Sequence, residues 1–404
     1  MKTNSLSAGL AVHARTITTK RHLIIRGAWL WIGFLAFAVI AFGPRLAHAA
    51  VTEAWVQRYG SETVSHDNAS AYKVVTDAAG NVIVAGSTDN QTGGGSHMLV
   101  IKYSGAGVPL WNNRYVGSAI AVAVDGSGNV FVTGSSGYDY ATIAYSGAGV
   151  PLWTNRYHGP GNWWDEAKAV AVDASGNVFV TGTSSGSGGG YDYATIAYSG
   201  AGVALWTNRY SGPFNGGYDE ARAVAVDASG NVFVTGTSSG SGGNEDYATV
   251  AYSGAGVPLW TNRYNGPANS DDGATAVAVD ASGNVFVTGY SGYSDGFPGN
   301  YDYVKIAYSG AGVPLSTNRY NGPANRSNQA TALAVEGSGN VFVTGSSHDG
   351  SGVYPDYATI AYSGAGVALW TNRYNGPGNV YDAATAVATD GSGNVFVKIG
   401  RAHV

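Results

Sequence analysis

Ala167-Lys-Ala-Val-Ala-Val-Asp-Ala-Ser-Gly-Asn-Val-Phe-Val-Thr-Gly182, then Tyr191-Asp-Tyr-Ala-Thr-Ile-Ala-Tyr-Ser-Gly-Ala-Gly202 and Leu205-Trp-Thr-Asn-Arg-Tyr210, make up one unit of a repeat that fills the chain after its first fifty residues. Its Gly-Asn-Val-Φ-Val centre recurs seven times, with Asn at 81, 129, 177, 231, 284, 340 and 394, at intervals of 48, 48, 54, 53, 56 and 54 residues. Residues 167–173 alternate and are rich in Val, which predicts a first strand. Ala174-Ser-Gly-Asn177 is turn chemistry, because Gly and Asn both tolerate positive φ. Val178–Gly182 reads as a second strand, Asp192–Ser199 as a third, Gly200–Val203 as a turn and Leu205–Tyr210 as a fourth. Four short antiparallel strands in a meander form one propeller blade, so the expected fold is an all-β propeller.

A lone meander cannot bury both faces, whereas blades stacked around an axis can. The small Ala residues of the first strand suit the crowded centre. Trp, Asn and Tyr share one face of the fourth strand, and the recurring Trp111, Trp153, Trp206, Trp260 and Trp370 read as packing between blades. Trp55-Val-Gln-Arg-Tyr59 matches the fourth strand, and the chain reaches only the second strand of unit seven at Val395–Val397. Six complete blades and a seventh shared between the two ends are expected, with the third strand of the seventh missing.

The flanks differ from the array. Lys20, Arg21 and Arg26 precede an apolar run from Ala28 to Phe42, then Ala47-His-Ala49, which predicts a secretory leader over 1–49. The run is shorter than the roughly 20 apolar residues of a membrane span. Residues 50–397 form the expected propeller domain. The tail 398–404 ends Ile399-Gly-Arg-Ala-His-Val404, a direct translation of ATCGGAAGAGCACACGTC, a common sequencing-adapter read. It is read as foreign to the gene, with further blades or domains belonging beyond it.

The leader carries six of the 21 basic residues and no acidic ones, so the remainder has 21 − 6 = 15 basic against 26 acidic residues, a net charge of −11. Such a surface repels phosphate backbones and argues against nucleic acid. The chain has no Cys, hence no disulfide or thiolate metal site. The expected location is secreted, periplasmic or at the cell surface, with no stable membrane insertion after leader removal.

The run Ala169–Gly182 followed by Tyr-Asp-Tyr-Ala-Thr-Ile-Ala-Tyr resembles the bacterial SBBP-type β-propeller repeat, and the resemblance extends from Val51 to Val397. It implies an exported or surface protein. Strand order is also similar to NHL and quinoprotein-like propellers, which implies a dehydrogenase as a second function class.

Two connections never change length. The first-strand Asp or Glu lies four residues before the motif Asn in all seven units, and the third-strand start lies seventeen before the fourth-strand Arg, as in 192→209 and 302→319. All variation falls in the second-to-third and fourth-to-first connections, which leave a meander at one edge. Variable loops on a rigid scaffold are where binding usually resides, although loops also drift neutrally.

On that face Trp163 and Trp164, beside Asp165, cannot both face a core. With Tyr218, and with Tyr293, Asp295 and Phe297 in the longest loop, they are the candidate ligand-binding residues for a carbohydrate or protein. Counting back eight residues from each first-strand acid gives Asp165, Asp219, Asp272, Asn328 and Asp382. A ring of such oxygens suits Ca²⁺, and a turn Asp bonding nearby amides gives the same pattern. No cofactor other than that Ca²⁺ is implied. No catalytic residue is assigned, since His66, His97, His158 and His348 are scattered and no hydrolase, phosphate-loop or dinucleotide motif occurs. The expected function is a non-catalytic binding scaffold. A propeller enzyme, quinoprotein-like or polysaccharide-active, and a structural spacer within a longer surface protein are the alternatives.

Overall fold

The computed structural model describes residues 10–11, 54–59, 69–90, 95–214, 216–292, 300–350, 354–376 and 381–399. Every element among them is a strand. Six four-stranded antiparallel sheets, each in simple meander order, span residues 69–116, 118–157, 165–210, 219–264, 272–320 and 328–374. We call them blades one to six. In blade three the strands are Asp165–Val172, Val178–Ser185, Tyr191–Tyr198 and Ala204–Tyr210. The first strand starts two residues before the expected Ala167. A seventh blade contributes Ala384–Thr389 and Val395–Ile399, so the strand continues two residues beyond Val397.

The fixed turns explain the repeat motif. Asp173 Oδ1 accepts from the Ser175 and Asn177 amides, at 2.9 and 2.8 Å, and Asn177 Nδ2 donates to Asp173 Oδ2 at 2.8 Å. Gly176 sits at φ +83° between them. Asp, Gly and Asn therefore form a single unit that holds the hairpin.

The hydrophobic core lies between blades. Phe131, Tyr140 and Ala144 of blade two pack with Ala167, Val178, Ile196 and Tyr198 of blade three, and the same set recurs at the next three junctions. First strands of successive blades touch each other around the axis, while fourth strands alternate exposed and half-buried residues at the rim. Trp206 packs between Phe179 of its own blade and Tyr252 of the next, at 5.9 and 5.7 Å. The first strand carries a bulge between Ala167 and Ala169, and Lys168 is the extra residue. Bulges re-aim a side chain, and this one recurs in every blade.

Residues 54–59 take the place of a preceding fourth strand against blade one. Trp55 packs on Tyr103 of blade one at 5.7 Å, as a preceding fourth strand would, and the Arg114 guanidinium donates to Tyr59 Oη at 2.7 Å. Lys73, on the inner strand of blade one, is exposed by area yet ringed by protein. Desolvation, then the charge of Lys398 from the seventh blade, lower its pKa. Apart from Leu10–Ala11, the expected leader lies outside the described residues, among which no helix is long and apolar enough to cross a membrane.

Candidate functional site at the variable-loop face

The variable connections of blades three, four and five meet where first strands begin and second strands end. Each fourth-to-first loop is fastened by the carboxylate that opens the next strand. Buried Asp165 accepts from Gly159 N at 2.7 Å and Ser185 N at 3.0 Å. Asp219 does the same with Gly212 N and Ser239 N, Asp272 accepts from Gly266 N, and Asp382 from Gly376 N. Asn328 accepts from the Ser347 hydroxyl. Burial raises the pKa of Asp219 and of Asp272, against the amide bonds that favour their charge. The recurrent oxygens thus each tie a loop to its own blade.

Among the described residues, the group able to hold a cation is Asp139, His158 and Asp165. His158 Nδ1 lies 2.7 Å from Asp139 Oδ1 and 3.9 Å from Asp165 Oδ2, while its Nε2 lies 2.7 Å from Asn162 Oδ1. The oxygens already have partners, since Arg156 donates to Asp139 Oδ2 at 2.8 Å and Gly159 N to Asp165. His158 also stands where Asn265 and Asn321 bond Asn269 and Asn325 in later blades, which makes it a loop staple. The Asp139 bond, then the Asn162 bond, raise the His158 pKa. Desolvation pulls Asp139 upward, but the bonds from His158 and Arg156 outweigh it and its pKa falls.

A second constellation does not repeat. Trp163 is 69% exposed, and Trp164 turns its edge to Tyr191 at 6.3 Å. Tyr191 meets Tyr218 at 5.6 Å across a backbone bridge between loops of blades three and four. Lys168 Nζ sits 5.8 Å over the Trp164 ring, pairs with Glu166, and reaches Glu220 of blade four at 3.4 Å. Arg222 pairs with Glu220 at 2.8 Å and donates to Tyr290 Oη of blade five at 3.3 Å. Tyr290 in turn meets Tyr301 at 4.9 Å. Gly273 makes this possible, because a Cβ there would lie 2.5 Å from the Tyr290 ring.

Rings and charges therefore alternate across three blades. Lys168 and Arg222 are both bulge residues, and the bulge turns them toward the next blade. Burial, then the Glu220 charge, push the Tyr218 pKa up to about 12. Burial, with Asp271 and Glu220 nearby, raises Glu245. Glu220 and Tyr290 hold Arg222 firmly protonated although desolvation opposes its charge. Hydroxyls, carboxylates and cations with fixed partners, set beside an exposed indole, can bind a polyhydroxylated ligand.

Of the residues marked in the sequence, Trp164 and Tyr218 join this row, Trp163 flanks it in solvent, and Asp165 lies buried beneath. Tyr293, Asp295 and Phe297 lie outside the described residues. Sequence reading missed Lys168, Tyr191, Glu220, Arg222, Tyr290 and Tyr301. The available signal was the bulge position, occupied by Tyr72, Ile120, Lys168, Arg222, Thr275 and Thr331 in turn.

No family model matches the chain, and no curated protein matches it. Among solved structures, a protein from Lactobacillus plantarum overlaps 78% of this chain and 94% of its own, at 13% identity and TM-score 0.44. A protein of unknown function from Bacteroides caccae overlaps 66% and 86% at 11% identity and TM-score 0.41. A calcium-binding protein, regucalcin, from Agrobacterium tumefaciens overlaps 70% and 84% at 13% identity and TM-score 0.35. Overlap at these values says nothing about activity.

Proposed function

We propose that this chain is an exported, non-catalytic propeller whose variable-loop face binds a carbohydrate at the row of rings and charges across blades three to five. The observation that carries this reading is the row itself, from Trp164 through Tyr191, Tyr218, Lys168, Glu220 and Arg222 to Tyr290. The predicted leader and the SBBP-type resemblance support export to the periplasm, medium or cell surface.

Physically, the C–H face of a sugar ring lies on the exposed Trp163 indole, while its hydroxyls exchange hydrogen bonds with Glu166, Glu220 and Lys168. Prior pairing holds these groups in place, so binding costs little side-chain ordering. A glycan and cell-surface panel tests this with the intact chain. The parent should bind a restricted set of glycans. The Trp163→Ala/Trp164→Ala variant should bind them at least about tenfold more weakly, the loss of roughly 1.4 kcal/mol. Unchanged affinity in that variant contradicts the reading, and quinone-dependent turnover by the parent favours the dehydrogenase alternative.

A further inference from the structure

The third-to-fourth turn reads Ser-Gly-Ala-Gly-Val-Pro-Leu in blades one, two, four and five, with Ala for Pro at 199–205 and 363–369. In blade three Ser199 N donates to Val203 O and Gly202 N to Ser199 O, both at 2.8 Å. Gly200 O accepts from Trp153 Nε1 at 2.9 Å, and Gly202 O from Asn155 Nδ2 at 2.7 Å. Four carbonyls of the turn are thus engaged within the fold, and its outward surface is left apolar. The six Val are 57–62% exposed and the six Leu 47–52%.

These twelve side chains form a belt where the face of fixed turns meets the rim. Recurrent exposure of large aliphatic residues at one edge of a fold marks an interaction surface. The first-to-second hairpins share this face, and their acids bond their own amides, as Asp173 does those of Ser175 and Asn177. Neither set of turns contains Lys, Arg or an aromatic residue. A bilayer surface is held by cations and interfacial aromatics, and nucleic acid by cations, so this face suits neither. It suits a second surface that is equally apolar and equally spent in hydrogen bonds, since burying it there leaves few polar groups unpaired.

We propose that two copies of this chain pair through their fixed-turn faces, the Val and Leu of one belt packing between those of the other. A two-fold axis needs a patch that complements itself, and a ring of identical units on turns of constant length meets that need at several rotations. The available area is sufficient. A fully exposed Val or Leu side chain offers about 60–120 Å², so twelve at roughly half exposure give about 400–700 Å² per copy and about 800–1,400 Å² per pair. A specific interface needs about 1,000 Å², and the Pro, Ala and Gly atoms between them add to the total. Pairing in this way leaves both variable-loop faces free and pointing away from each other.

Sedimentation velocity of the intact chain over a range of concentrations tests this. The parent should form a dimer, and Leu205→Glu/Leu259→Glu should raise its dissociation constant at least about a hundredfold, since the new carboxylates would be buried without partners. Ser187→Glu/Ser241→Glu, which adds the same charge to loops of the opposite face, should dimerise as the parent does. All four positions are exposed, so circular dichroism of both variants should match the parent. Added salt should tighten the pair, because the hairpin acids of the two discs oppose each other. A parent that stays monomeric up to about 0.1 mM, equal dimerisation by the Leu variant, or equal loss in the Ser variant would overturn the proposal. So would loosening by salt, which points to ion pairs, or binding of a monomeric parent to phosphatidylcholine vesicles, which would assign the belt to lipid.

Discussion

Converting Lys305 to Thr and Ser316 to Trp together should stabilise the protein at pH 7 by on the order of 3 kcal/mol and flatten its pH dependence between about pH 8 and 10. Lys305 stands where blades two, three, four and six carry a buried Thr, as Thr195 does against Thr181 at 2.9 Å. Ser316 stands where other blades carry Trp. The two changes are coupled, because the Lys305 ammonium lies 5.5 Å from both the Phe286 and Tyr362 rings, between which the indole of this position packs elsewhere. Its polar contacts are Ser316 Oγ at 3.1 Å and Asn318 Oδ1 at 3.3 Å, with no carboxylate among the described residues.

Burial lowers the Lys305 pKa from 10.5 to about 8. Between those values the unfolded chain binds more protons than the folded one, so the parent gains stability as pH rises through the window. Below about pH 8 it bears the full cost of the buried charge. The double variant removes the titrating group. Ser316→Trp alone should destabilise, since indole and ammonium compete for one place, and Lys305→Thr alone leaves a void beside Ser316. Chemical denaturation at pH 7 and pH 10 checks all four forms. A double variant less stable than the parent at pH 7 would refute the coupling.

Gly202→Ala should cost about 2–4 kcal/mol. Gly202 has φ +82°, and its Cβ would lie 2.6 Å from the Trp153 ring. That ring cannot retreat, because its Nε1 bonds Gly200 O and it packs against Phe131 and Tyr198. Gly176 offers the control. It has φ +83° but open space around its Cβ, so Gly176→Ala bears backbone strain alone, about 1–2 kcal/mol. Equal losses in thermal unfolding of the two variants would show that the turn does not clamp the neighbouring blade.

The blade was legible because its determinants are local. Asp173, Gly176 and Asn177 close one hairpin within five residues, and the constant seventeen-residue spacing is the Asp192–Arg209 ion pair across the next. The Trp and Tyr repeats showed that packing would run between blades. The candidate site was legible only in part. Trp164 and Tyr218 stood out as aromatics in loops of variable length, but Lys168 to Glu220 and Arg222 to Tyr290 join residues on different blades. No periodicity within a unit encodes those contacts. They depend on a bulge that turns one residue of the first strand toward its neighbour, and on the missing side chain of Gly273. The pattern of Asp165, Asp219, Asp272 and Asp382 was visible, yet sequence could not show that each carboxylate is buried against the amides of its own loop.

Hydroxyl-radical footprinting of the intact chain, with and without the tightest glycan from the panel, measures the site directly. The account predicts protection of Trp163, Trp164, Tyr191, Tyr218, Tyr290 and Tyr301, with no change at Val203, Leu205, Val257 and Leu259 on the exposed rim. Protection confined to that rim, or spread equally over all blades, would contradict it.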